Sequence, residues 1–73
     1  MENKIGSISF FDYEKGIGFI SSDSNGKDVF VHFSSIRNFN PSLLKIGQKV
    51  SYIEYKGPKG PKGPKAEYVV VLL

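Results

Sequence analysis

Lys15-Gly16-Ile17-Gly18-Phe19-Ile20 and Val29-Phe30-Val31-His32-Phe33 lie on either side of an Asn25-Gly26 pair. Each run reads as a short strand, and Asn-Gly favours a hairpin turn with positive φ. Side chains alternate faces along a strand. Val29 and Val31 therefore share one face, and Phe30 and His32 share the other. Ile17 and Phe19 face the side opposite Gly18 and Ile20. Pairing the two strands as a hairpin sets Ile17, Phe19, Phe30 and His32 side by side. The face carrying histidine is the expected wet face, which leaves Phe30 exposed or half exposed. Gly16 and Gly18 are expected to clear side chains from between the sheet and anything lying on it.

Working outward, the same signals recur. Lys4–Phe11 reads as a strand, and Asp12–Gly16 as a turn. Residues Ile17–Ser21 and Asp28–Phe33 form the central hairpin. Gln48–Tyr55 sets Val50, Tyr52 and Glu54 against Ser51, Ile53 and Tyr55, and Ala66–Leu73 is rich in valine. Ser34–Gly47 is irregular, broken at Asn40-Pro41, with room for one helical turn near Ser34–Ile36. No window sustains the i, i+3, i+4, i+7 apolar pattern of a helix. Five short strands point to a small all-β barrel, because closure removes exposed edges. Residues 1–73 are expected to form one domain.

The segment Lys56–Lys65 contains three Gly-Pro-Lys triplets in tandem. Glycine at every third position is the collagen repeat, but three triplets are too few for an independent triple helix. Proline lacks a backbone donor, so this segment is expected to be an extended loop rather than a central strand. The chain carries ten basic and seven acidic residues. Four of the basic ones, Lys56, Lys59, Lys62 and Lys65, fall in this acid-free segment, leaving six against seven elsewhere. Such a segment favours an anionic partner. The plainer alternative is a solubilising loop.

Several function classes lose support. There is no cysteine, so no disulfide framework and no thiolate metal site; this fits a reducing compartment. No stretch approaches the roughly 20 apolar residues of a membrane span. Met1-Glu2-Asn3-Lys4 does not lead into a signal-peptide apolar run. The chain reads as soluble, unprocessed and cytoplasmic. His32 is the only histidine, without the partners of a zinc site or a catalytic triad. No phosphate-binding Gly-Lys-Ser/Thr loop is present. The expected protein is not an enzyme, and no cofactor or metal is expected.

A row of exposed rings beside a cationic segment suits single-stranded nucleic acid. Bases stack on rings at about 1–3 kcal/mol each, and lysines track the phosphates. A single phenylalanine is more often core, but the set with His32 points to binding.

At this point the chain resembles the bacterial cold-shock proteins. That family carries Lys-Gly-Phe-Gly-Phe-Ile and Val-Phe-Val-His-Phe-Ser, which read here as Lys15–Ile20 and Val29–Ser34. Gly47-Gln48-Lys49-Val50 and Gly63-Pro64-Lys65-Ala66 match two further family segments. The resemblance implies a five-stranded antiparallel Greek-key barrel of the OB type. It also implies binding of single-stranded RNA and DNA, with a leaning to pyrimidine-rich runs, and an RNA-chaperone role in cold stress. By position it carries stacking over to Phe10, Phe19, Phe30, His32 and Phe33, with Phe39 as the loop aromatic and Lys15 as a phosphate contact. Phe11 and Ile17 join the candidate surface, and Lys59, Lys62 and Lys65 supply cations from the loop. A monomer is expected, with neither a membrane nor a small-molecule substrate as partner. The departures fall mostly on this surface: Ser9-Phe10-Phe11-Asp12 replaces Lys-Trp-Phe-Asn, Ile17 replaces Phe, Lys65 replaces Gln, and Tyr68 replaces Asn. A protein-interaction or ribosome-docking barrel is the alternative reading, and a hydrolase on the same fold a distant third.

Overall fold

The computed structural model describes residues 3–38, 40–55 and 64–72. Five strands, β1 Asn3–Asp12, β2 Ile17–Ser22, β3 Asp28–His32, β4 Lys49–Tyr55 and β5 Lys65–Val71, close into a barrel in the order β1-β2-β3-β5-β4. Short 3₁₀ turns occupy Phe33–Ser35 and Pro41–Leu43. The chain crosses from β3 to β4 and returns beside β1, as the Greek-key path requires. Four seams are antiparallel, and the closing seam between β3 and β5 is parallel. Among the described residues, no helix is long and apolar enough to cross a membrane.

β1 is the spine. Its first half pairs with β4, from Asn3 opposite Ile53 to Ser7 opposite Lys49, and its second half pairs with β2. The central hairpin has the expected register, with Ile17 opposite His32 and Phe19 opposite Phe30. Its connection is longer than a two-residue turn. Gly26 takes the left-handed backbone, φ +71°, and its N–H donates to the Ser22 carbonyl at 2.8 Å.

The core follows the period-2 pattern except where β1 bulges. Ile8 pairs with Ile20, but the next pair is Phe10 with Phe19, so Ser9 is an extra residue. Ile8 faces inward, Ser9 and Phe10 both face out, and Phe11 returns to the core at 7% exposure against 50% for Phe10. Phe11 joins Ile20, Val29, Val31, Val50, Tyr52, Val69 and Val71 inside the barrel. Its place on the expected binding surface is therefore corrected: the bulge reverses the alternation that would have exposed it.

Gly18 is corrected with it. It lies opposite Phe11 and is buried, not open to a ligand. A Cβ there would stand 2.6 Å from Phe11 Cδ1 and inside contact distance of the Phe10 carbonyl. The glycine makes room for a protein ring rather than for a base. Gly18→Ala should thus act as overpacking against backbone that cannot give way, destabilising by about 1–3 kcal/mol or more. Urea unfolding measures it, and a midpoint within error of the parent would refute the packing role.

Candidate nucleic-acid interface

The outer face of β1, β2 and β3 carries the aromatic residues. Phe10, thrown outward by the bulge, stands 6.4 Å from Phe19, ring centre to ring centre, with planes 40° apart. Phe19 meets Phe30 at 6.0 Å, edge to face at 75°. Cross-strand pairing fixes this row, because Phe10, Phe19 and Phe30 occupy successive opposed positions. Ile17, half-buried, lies opposite His32 one step along. Phe10, Phe19 and Phe33 are exposed, while Phe30 and His32 are half-buried.

His32 and Phe33 mark the end of β3. Their rings lie 4.6 Å apart at 40°. His32 Nδ1 accepts the Ser34 N–H at 3.3 Å and lies 2.8 Å from Ser34 Oγ, capping the 3₁₀ turn. With Nδ1 accepting, a neutral ring carries its hydrogen on Nε2, which leaves a donor beside the rings. Phe33 rests on Gly16: a Cβ at Gly16 would come 2.5 Å from Phe33 Cδ1, and Gly16 has φ +70°. The Phe33 N–H donates to the Gly16 carbonyl at 2.8 Å. Gly16, like Gly18, makes room for a protein ring, and the expectation that it clears space for a base is corrected.

The turn before β2 is held by Asp12. Its Oδ1 accepts the N–H groups of Glu14 at 3.0 Å and Lys15 at 3.2 Å, an Asx turn that presents Lys15 to solvent. The acid that looked out of place beside a nucleic-acid surface thus has a local structural task. Tyr13 was not singled out from sequence. It is exposed, its hydroxyl donates to the Leu44 carbonyl, and it borders a depression of about 320 Å³ with Lys15, Phe33, Asn40 and Pro41. A tyrosine in a turn gives no periodic signal.

Lys65 lies opposite Phe30 across the parallel seam, so it reaches the same face. It is paired with Glu67 at 3.1 Å. Phe39, Lys59 and Lys62 lie outside the described residues. No group of three His, Cys, Asp or Glu among the described residues is placed to hold a metal ion.

Glu67 also accepts the Ser35 hydroxyl at 3.0 Å. Burial raises its pKa, but hydrogen bonds from Lys65 and Ser35 and the charges of Lys65 and Arg37 more than offset that, so it falls below 4.5. A carboxyl depressed in the folded state contributes stability that is present above its unfolded pKa. That stability is lost as pH falls through the folded value. Glu67→Gln should therefore be less stable than the parent near neutrality, with the gap closing as pH drops below about 4.5. Urea midpoints measured across that range check this; a gap independent of pH would remove the ion pair as its source.

The family model described as the "'Cold-shock' DNA-binding domain" matches residues 4–72. The cold shock protein CspV of Vibrio cholerae is 46% identical over 52 residues, covering 71% of this chain and 74% of that one. The cold shock-like protein CspB of Escherichia coli is 51% identical over 53 residues, covering 71% and 75%. Among solved structures, the Drosophila Unr segment CSD456 superposes with a TM-score of 0.77 at 17% identity, covering 99% of this chain. This chain spans 27% of that one, and the likeness is one of fold.

Proposed function

This chain belongs to the cold-shock domain family, and from that premise we propose that it binds single-stranded RNA and DNA on the outer face of β1–β3. Bases stack on Phe10, Phe19, Phe30, His32 and Phe33, with Ile17 as an apolar neighbour. Lys15 and Lys65 meet phosphates, joined by Lys59 and Lys62, whose part is read from sequence alone. Residues 1–73 act as one domain, as a monomer in the cytoplasm and without catalysis. The partners are pyrimidine-rich, and the role is that of an RNA chaperone or cold-shock-type regulator.

The observation that carries this reading is the row of rings left in solvent. A protein of 73 residues has a small core to fill, and most of its valine and isoleucine fills it. Phe10, Phe19 and Phe33 are nonetheless exposed on one surface. Bases cover such rings without regard to sequence, because every base has a π face.

The test is a fluorescence-anisotropy titration with labelled oligo-dT and oligo-U. Phe30→Ala should weaken binding by about 1–3 kcal/mol and leave the fold intact. Phe11→Ala should instead destabilise the barrel by about 3–5 kcal/mol, as a core deletion does. Absence of affinity for bare oligonucleotides in the parent protein would favour a protein-docking surface.

Ile17→Phe gives a gain-of-function arm. Ile17 is half-buried beside His32, so a larger ring can spread into solvent. It should tighten oligo-dT binding by roughly 1 kcal/mol, about fivefold, since isoleucine already supplies part of the contact. Lower stability with unimproved binding would place Ile17 in the core instead.

A further inference from the structure

Tyr68 stands where the resembling family has asparagine and is not among the residues of the proposed β1–β3 surface. Its backbone is left-handed, φ +51°, and no other non-glycine residue among those described has positive φ. Bulky L-residues adopt that region only with strain, whereas asparagine enters it more readily. The strain belongs to a second bulge. β4 pairs Ser51 with Val70 and then Ile53 with Glu67, so Tyr68 and Val69 together face Tyr52. Glu67 and Tyr68 consequently both point away from the core, and Val69 returns to it. This is the device by which β1 exposes Phe10.

Tyr68 is 55% exposed, and the Arg37 guanidinium lies over its ring at 4.8 Å. Arg37 is held from the same loop that leaves the aromatic row at Phe33. Its N–H donates to the Val69 carbonyl at 2.9 Å, and Ser35 bonds Glu67 at 3.0 Å. The 3₁₀ turn Phe33–Ser35 therefore joins the two aromatic groups, and β5 joins them again through Lys65, opposite Phe30. An exposed ring under a guanidinium offers a stacking surface and a phosphate contact in one place. The barrel core gains nothing from either.

We propose that Arg37 and Tyr68 form a second contact for single-stranded nucleic acid, taking nucleotides that run past the rings of β1–β3 and across β5. This rests on the function proposed above. The occupant follows from charge and continuity: a cation on a ring, adjoining a surface that already suits bases.

Oligo length separates the two sites. Anisotropy titrations would use oligo-dT of about 4 and about 16 nucleotides, the limits of what an OB-type barrel occupies. Tyr68→Asn relieves the backbone strain, so its urea midpoint should equal or exceed that of the parent. It should leave affinity for the short oligonucleotide unchanged and lower that for the long one roughly tenfold, the loss of one ring–base stack. Arg37→Gln should flatten the slope of log K against log salt by about 0.7 for the long oligonucleotide only. Unchanged long-oligonucleotide binding by Tyr68→Asn would overturn the second contact while leaving the aromatic row standing. Equal weakening at both lengths would also overturn it. If the parent protein bound neither length, both proposals would fall. Loss of binding to polyglutamate in place of DNA would assign the pair to an acidic protein, against the proposal.

Discussion

One extra residue in β1 decides which rings this barrel shows and which it keeps. Ser9 has no partner of its own between the pairs Ile8–Ile20 and Phe10–Phe19, and its hydroxyl donates to the Phe19 carbonyl at 3.2 Å. Without it, strict alternation from Ile8 would bury Phe10 and expose Phe11. The count of apolar residues inside would not change. The outer row would, because Phe10 would no longer stand beside Phe19, and the interior would hold a ring where Gly18 leaves no matching space. The bulge, Phe11 and Gly18 form a single packing unit, and the outer surface is its consequence.

That unit explains where sequence reasoning stopped. The β2–β3 hairpin was legible because its two faces differ in chemistry: valines on one side, aromatics and histidine on the other. The register then followed from alternation alone. Phe10 and Phe11 are the same residue type, so no pattern of hydrophobicity could say which one a bulge would turn outward. At Gly16 and Gly18 a glycine announces room without saying whose, so sequence alone does not separate space for a ligand from space for a protein ring. Their neighbours, Phe33 and Phe11, belong to other elements and become visible only in three dimensions. The outward turn of Tyr68 escapes alternation for the same reason as the burial of Phe11: a bulge, here in β5, breaks the period.

The division of residues between core and surface has an energetic logic. Burying a phenylalanine fully contributes about 1.5–3 kcal/mol, and the exposed rings forgo much of it. The interior of a five-stranded barrel is narrow, and Ile8, Ile20, Val29, Val31, Val50, Val69 and Val71 fill it with compact, branched side chains. Phe11 and Tyr52 are the large exceptions, and Tyr52 is fully buried with a hydroxyl that has no hydrogen-bond partner among the described residues. The outer rings recover part of their loss through tilted and edge-to-face contacts with each other. Those contacts also hold the rings in place, so a base stacking on them has little side-chain entropy left to remove.

Charge completes the division of labour in the proposed function. Outside residues 56–65 acids slightly outnumber bases, so the barrel itself exerts little long-range pull on a polyanion. Lys65 stands beside Phe30 but is paired with Glu67, with more than half of its side chain exposed. The lysine end of the pair is open to solvent while Glu67 is half-buried and also held by Ser35, so Lys65 can turn towards a phosphate while Glu67 keeps its Ser35 hydrogen bond. Attraction at a distance then falls to the lysines of the Gly-Pro-Lys segment, and affinity at contact falls to the rings. Salt weakens the first and leaves the second nearly untouched, because stacking neutralises no phosphate. A surface built this way can hold a strand through its bases when ionic strength has removed most of the guidance that brought it there.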